Sequence, residues 1–186
     1  VSALIEWGVE KTGISKVTIG GGVGLNVKMN SDIFDLSGVS NVWANPLCSD
    51  GGAAVGAALA AEFYATGCKP VKLRQLDLGY EESGLEEILT QSKVAYRRSD
   101  NIARDIAGMI AEGKIVGWFQ GRMEAGPRAL GQRSILADPR NVDSRDRVNA
   151  IIKFREYWRP FCPSVLAEAA PRYFEKWTEA PFMVTA

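Results

Sequence analysis

The stretch "CSDGGAAVGAALAAEFYATG", residues 48–67, leaves its backbone little choice. Small residues fill the body, Asp50 stands at the expected N-cap position and Gly67 ends the run, so the pattern predicts a helix. Two short strand patterns come before it. In "KVTIGGGVGLN" a strand over residues 17–19 runs into a glycine turn and then a helix over 23–31, and "VWANP" supplies the second strand. Strand, helix, strand, helix is the alternation of an α/β unit, expected to run to about Lys69.

The next segment, "KPVKLRQLDLGYEESG", mixes proline, glycine and charges of both signs, as a connection between domains does. Beyond it, Ser83 and Glu86 have capping-box spacing ahead of a helix. "VAYRR" predicts a strand, "DNIARDIAGMIAEG" a helix capped by Asp100 and stopped by Gly113, and "KIVGWFQ" a buried strand. A strand over 134–137, a helix over 144–152, a strand over 164–166 and a helix started by Pro171 complete an α+β or α/β unit. The expected organisation is a first domain over 1–70, a linker over 71–82 and a second domain over 83–186. The helical pattern is already running at Val1 (Ala3, Leu4, Trp7, Val9), and "APFMVTA" reads as a strand just beginning. Both ends read as those of a piece of a larger protein.

Composition narrows the function classes. Lys and Arg total 22, as do Asp and Glu, so the formal net charge is zero. That argues against a nucleic-acid or membrane-surface partner. No signal peptide is visible, and the small-apolar run near 51–61 is too short to span a bilayer. Cys48, Cys68 and Cys162 lie far apart and match no paired metal spacing, which suits a reducing cytoplasm. The chain has no histidine, so no histidine-dependent triad or metal site is possible within it.

One stretch breaks the even charge balance. "GRMEAGPRALGQRS", residues 121–134, holds Arg122, Arg128 and Arg133 against one acid, Glu124. From Gly121 to Pro160 nine bases face five acids, a surplus of four, and eight of the nine bases are arginine. Two guanidiniums about 4 Å apart repel by roughly 4 kcal/mol at an effective dielectric near 20, so the stretch needs acids or a bound anion. Arginine's planar fork grips phosphate or carboxylate at two points. Gly121, Gly126 and Gly131 let the backbone bend and bring amides toward a ligand. The natural ligand is a small oxyanion: a phosphate, a pyrophosphate or an acyl phosphate. An arginine-rich surface loop paired with distant acids explains the charges but not the glycines.

In "KFREYWRPFCPSVL", Lys153 and Arg155 stand two apart, so an extended backbone points them the same way, and Arg159 precedes a proline-held strand. The alternative is an aromatic core segment with snorkelling cations. Gly20, Gly21 and Gly22 follow a strand and open a helix, a geometry that presents amides to phosphate, although a tight turn without ligand reads equally well. The pattern is neither the dinucleotide fingerprint nor a P-loop. Asp50 reads either as an ordinary cap or as a metal-ligand carboxylate on a glycine-flanked loop.

Taken together, "GGGVGLNVKMN", "CSDGGAAVGAA", "GRMEAGPRALGQRSIL" and "KFREYWRPFCPSVL" resemble the O-carbamoyltransferases of the nodulation-protein and antibiotic-tailoring family, across essentially the whole chain. The resemblance implies an α/β chain in two parts. The first is the closing part of an actin-like ATPase-fold domain, akin to the tRNA threonylcarbamoyladenosine enzyme. The second is the opening part of an α+β domain akin to threonylcarbamoyl-adenylate synthase. It implies ATP and carbamoyl phosphate as substrates, a carbamoyl-adenylate intermediate, and a small-molecule hydroxyl acceptor such as a sugar or natural product.

The same resemblance implies site residues. Gly20, Gly21, Gly22 and Asn26 become nucleotide contacts, and Asp50 a ligand of a divalent metal, iron or magnesium, whose other ligands lie outside this chain. Arg122, Arg128, Arg133 and Ser134 line the carbamoyl phosphate and adenylate pocket, with Arg159 beside them. Lys153 and Arg155 resemble the lysine–x–arginine element that holds acyl and phosphate groups. The family's histidine ligands are missing here, so the chain alone is expected to be inactive. A hydrogenase-maturation carbamoyltransferase and a non-catalytic anion-binding module are the competing readings.

Overall fold

The computed structural model describes residues 1–69, 73–175 and 179–186. Two compact units emerge, and they are not simple halves of the chain. One comprises Val1–Leu76, Ala125–Arg128 and Thr178–Ala186; the other comprises Asp77–Glu124 and Ala129–Trp177. Residues 71 and 72 of the expected linker lie outside the described residues.

In the first unit, α1 (Ser2–Thr12) ends at Gly13 in the left-handed conformation, where the Gly13 amide donates to the Val9 carbonyl. Strand β1 (Lys16–Ile19) leads into a 3-10 turn (Gly22–Leu25) and then α2 (Val27–Phe34). The chain returns as β2 (Asn41–Ala44), parallel to β1 with Val17 opposite Val42 and Ile19 opposite Ala44. Parallel strands need a crossover between them, and α2 supplies it. Ile19, Ile33 and Val42 form the buried centre, with Ile5, Val17, Met29, Leu36 and Val39 against it. Burying a side chain such as Ile33 stabilises by about 1.5–3 kcal/mol. Helix α3 (Asp50–Thr66) follows and ends at Gly67, as its sequence predicts.

The final segment joins this unit as well. Phe182 meets Trp43 edge-to-face at 6.4 Å. The Asn30 amide, fully buried, donates to the carbonyls of Gly24 at 2.9 Å and Val184 at 2.6 Å.

The second unit holds α4 (Leu85–Gln91), α5 (Ile102–Ala111), and an antiparallel pair, β3 (Val116–Phe119) with β4 (Arg133–Leu136). Helix α6 (Val142–Arg147) continues without a break into a π-helical turn (Val148–Lys153), and one 3-10 turn covers Ala170–Arg172. No helix among the described residues is long and apolar enough to cross a membrane.

Several local expectations are corrected. Asp50 lies inside the first turn of α3, behind an N-cap at Ser49 that makes no side-chain cap bond. Its charge still favours that end of the helix through the macrodipole. The cap of α5 is Asn101, whose Oδ1 accepts from the Arg104 amide at 3.1 Å, rather than Asp100. Ser83 and Glu86 form no capping box, because Gly84 holds the N-cap position of α4 and the Glu86 carboxylate is taken by the Arg98 guanidinium and the Tyr96 hydroxyl. "VAYRR" is not a strand: Tyr96 and Arg98 bond to Glu86 of α4, and its backbone pairs with no strand among the described residues.

Residues 164–166 form no strand either, since Pro160 and Pro163 beside them withhold ladder donors. Pro171 lies in the short 3-10 turn Ala170–Arg172, and "APFMVTA" docks through the Phe182 ring and through backbone bonds of Val184 and Ala186 to the Asn30 and Ser31 side chains instead of pairing as a strand. β3 alternates between half-buried and exposed residues, so it is not the fully buried strand its apolar run suggests. The 144–152 helix exists, but its second half is π-helical.

Candidate functional site

The glycine turn sits where β1 hands over to α2. Gly21 adopts a φ of 71°, a conformation that costs glycine little and other residues much. Gly20, Gly21 and Gly22 are exposed. Asn26 caps α2: its Oδ1 accepts from the Met29 amide at 3.0 Å. The turn is held from two sides by side-chain donors. Asn30 donates to the Gly24 carbonyl, and Arg128 Nη2 donates to the Leu25 carbonyl at 3.0 Å. Arg128 therefore belongs to the same unit as the glycine turn, 103 residues away in sequence.

Gly126 shows why the segment Ala125–Arg128 is shaped for this place. Its φ is +96°, and a Cβ there would meet Leu47 Cδ2 at 3.0 Å and the Pro46 carbonyl oxygen at 3.3 Å. Asp50 is exposed at the start of α3. Among the described residues no three His, Cys, Asp or Glu side chains gather closely enough to hold a metal. The described residues therefore supply no three-residue ligand set around Asp50. Cys48 is buried and free, and burial pushes its thiol pKa up against a smaller downward pull from an Asn45 backbone hydrogen bond.

In the second unit, Arg122 donates through Nε to the Gly79 carbonyl at 2.9 Å and through Nη2 to the Leu78 carbonyl at 3.1 Å. Arg133 donates to the carbonyls of Gln120, Gln132 and Gly121 at 2.6, 3.0 and 3.2 Å. Its guanidinium carbon also lies 3.6 Å from the Phe119 ring centre. Ser134 Oγ accepts from the Gly131 amide at 3.0 Å. Among the described residues none of Arg122, Arg128 and Arg133 pairs with an acid. Neutral carbonyls fix the three guanidiniums without cancelling their charge. Acids or a bound anion are not the only partners open to such charges, and here backbone carbonyls are a third.

Glu124, the one acid of the stretch, has a use that its sequence context hides. Its Oε1 accepts the amides of Leu130 at 2.8 Å, Gln132 at 2.7 Å and Arg133 at 3.1 Å. Burial is the largest influence on this carboxyl and pushes its pKa up. The hydrogen bonds from those amides and from its own together outweigh burial and hold the value below the ordinary one. Glu124 is thus the anion around which residues 130–133 are folded. A glutamate six to nine positions before its partners carries no local signature, which is why sequence reasoning passed over it.

The lysine–x–arginine element is organised by a residue equally silent in the sequence. Asn149 is fully buried. Its Nδ2 donates to the carbonyls of Tyr157 at 3.2 Å and Arg159 at 3.0 Å, and its Oδ1 accepts from Arg155 Nε at 2.8 Å. Lys153 and Arg155 are not on an extended backbone as expected. Lys153 closes the π-helical turn and Phe154 between them takes a φ of 47°. Arg155 lies 4.7 Å from the Phe161 ring centre, and Arg159 pairs with Glu156 at 3.0 Å. Lys153 is exposed, and its ammonium meets no acid among the described residues.

Comparison with known proteins adds the decisive observation. The carbamoyltransferase N-terminus profile matches residues 3–59 and the carbamoyltransferase C-terminus profile matches residues 107–186, in that order along the chain. The chain belongs to the carbamoyltransferase family. Among its relatives, nodulation protein NolNO of Sinorhizobium fredii is 40% identical over 183 residues, covering 94% of this chain and 27% of that protein. Nodulation protein NolO of Bradyrhizobium diazoefficiens is 40% identical over 172 residues, covering 88% of this chain and 31% of that protein. The 3'-hydroxymethylcephem-O-carbamoyltransferase of Amycolatopsis lactamdurans is 38% identical over 172 residues, 91% of this chain and 32% of the enzyme. The chain thus spans about a third or less of these relatives' length. Both matched regions contain candidate site residues: the glycine turn and Asp50 fall in the first, and all the candidate arginines and Lys153 in the second.

Proposed function

We propose that this chain is the central part of an ATP-dependent O-carbamoyltransferase. The observation that carries the reading is the state of three guanidiniums, Arg122 and Arg133 in the second unit and Arg128 in the first. Each is fixed by carbonyl oxygens and none is neutralised by an acid among the described residues. Cations held this way keep their full charge for a phosphorylated substrate and need no reorganisation when charge develops on it.

In this reading carbamoyl phosphate and water give carbamate and phosphate. A carbamate oxygen then attacks the α-phosphorus of ATP, and the Pα–O bond to pyrophosphate breaks. The acceptor hydroxyl next attacks the carbonyl carbon of the carbamoyl-adenylate, loses its proton and displaces AMP. Every stage places negative charge on phosphate oxygens, which arginines stabilise by position alone. Arg122, Arg133, Ser134, Lys153, Arg155 and Arg159 serve the adenylate-forming stage. Arg128 fixes the glycine turn that contacts nucleotide through Gly20, Gly21, Gly22 and Asn26. An iron or magnesium ion at Asp50 would draw its other ligands from outside this chain and supply Lewis acidity toward phosphate or carbonyl oxygen.

The test is carbamoyl-phosphate-dependent exchange of pyrophosphate into ATP by the full-length protein. Arg133→Ala is expected to lower the exchange rate by about a hundredfold or more, the scale for losing one preorganised donor to developing charge. Exchange unchanged in both Arg128→Ala and Arg133→Ala removes these arginines from the site.

A further inference from the structure

We infer that Asn149 is a positioning residue for the anion site, acting through the loop 153–159; the inference rests on the carbamoyltransferase reading above. Two of the cations in that reading, Arg155 and Arg159, sit on one short irregular segment, and Lys153 ends the π-helical turn that leads into it. Irregular backbone with a left-handed Phe154 at φ 47° does not hold its own shape, because a non-glycine residue there is strained and helical hydrogen bonding has stopped. Something must over-determine it, and Asn149 does so with both polar groups of its side chain and its backbone carbonyl.

The two Nδ2 hydrogens reach the Tyr157 and Arg159 carbonyls, fixing the far end of the loop. Oδ1 takes Arg155 Nε, fixing the guanidinium itself. The Asn149 backbone carbonyl accepts the Arg155 amide at 3.1 Å, fixing the near end. The Asn149 side chain is fully buried, so its own polar atoms have no access to water. The π-helical turn is part of the same device. Adding one residue per turn rotates the positions after 148 relative to a continued α-helix, and turns of this kind recur at functional sites. Aspartate at 149 would keep the acceptor for Arg155 but set a carboxylate against two carbonyl oxygens, so the amide is specifically required.

The experiment measures pyrophosphate exchange in the full-length protein, varying carbamoyl phosphate, for Asn149→Ala, Arg155→Ala and the double variant. Displacing cations from a substrate anion costs between about tenfold and a hundredfold in kcat/KM. Asn149→Ala is expected to show that loss with a raised KM. The double variant is expected to lose clearly less than the product of the single losses, because both act on the same guanidinium. Mere loss of folded protein lowers kcat at constant KM and multiplies with Arg155→Ala; that outcome, or wild-type kinetics in Asn149→Ala, overturns the inference. If the wild type itself shows no exchange, the functional reading fails, and the clamp is decided by hydrogen exchange over residues 154–160. Faster exchange there in Asn149→Ala supports it, and unchanged exchange overturns it.

Discussion

Replacing Glu124 by alanine tests how the arginine bend is held together. Three amides, at 2.7, 2.8 and 3.1 Å, converge on one carboxylate oxygen. A hydrogen bond to a charged acceptor contributes about 1.5–3 kcal/mol. Three that share an oxygen compete for it, and the partly exposed site lets water replace some of the loss. A net cost of about 2–4 kcal/mol for opening the bend follows from those limits. At about 1.4 kcal/mol per factor of ten, the amides of Leu130, Gln132 and Arg133 should exchange with solvent about 30-fold to 700-fold faster in Glu124→Ala. Glutamine keeps an oxygen in place without its charge and should give roughly half that free-energy change.

Acid should act in the same direction as the substitution. The folded carboxyl titrates below its ordinary value, so its stabilisation is complete above that ordinary value and disappears as pH falls through the lowered one. Residue-resolved hydrogen exchange reads all three effects. If the three amides keep wild-type protection in Glu124→Ala, the bend is held by something else, and the account of Glu124 as its central anion is wrong.

Asp138 should titrate at about 2, because the Arg140 side chain and then the Arg140 amide hydrogen-bond it, against a smaller effect of burial. Its contribution to stability is present above the usual aspartate range and is lost as pH falls toward that value; in Arg140→Ala an NMR titration should find the carboxyl back near its usual range. Gly126→Ala places a Cβ at φ +96° against Leu47 and the Pro46 carbonyl. It should cost about 1–3 kcal/mol, read as a lower urea midpoint of the full-length protein, and a wild-type midpoint would contradict the packing described for that glycine.

Most elements whose pattern is local were legible in the sequence. Strand β1, the glycine turn, β2 and the helix closed by Gly67 follow from short-range preferences, and the structure has them close to the expected positions. "VAYRR" and residues 164–166 carry β-type composition but no strand, since a strand exists only when another backbone completes its hydrogen bonds. The two-residue spacing of Lys153 and Arg155 predicts an extended backbone, but a π-helical turn that has no simple sequence signal ends at Lys153 and a left-handed Phe154 follows it.

The order of residues alone determined the charge surplus between Gly121 and Pro160, the absence of histidine, and the glycines that let the chain bend. These are properties of composition and spacing, and no folding can change them. Only the tertiary structure decided what the charges do. It assigned Arg122, Arg128 and Arg133 to carbonyls, gave Glu124 to three amides, and used Asn149 to close the loop that carries Arg155. The physical reason is that a hydrogen-bond partner is chosen by distance in space, and 103 residues separate Arg128 from the carbonyl it holds.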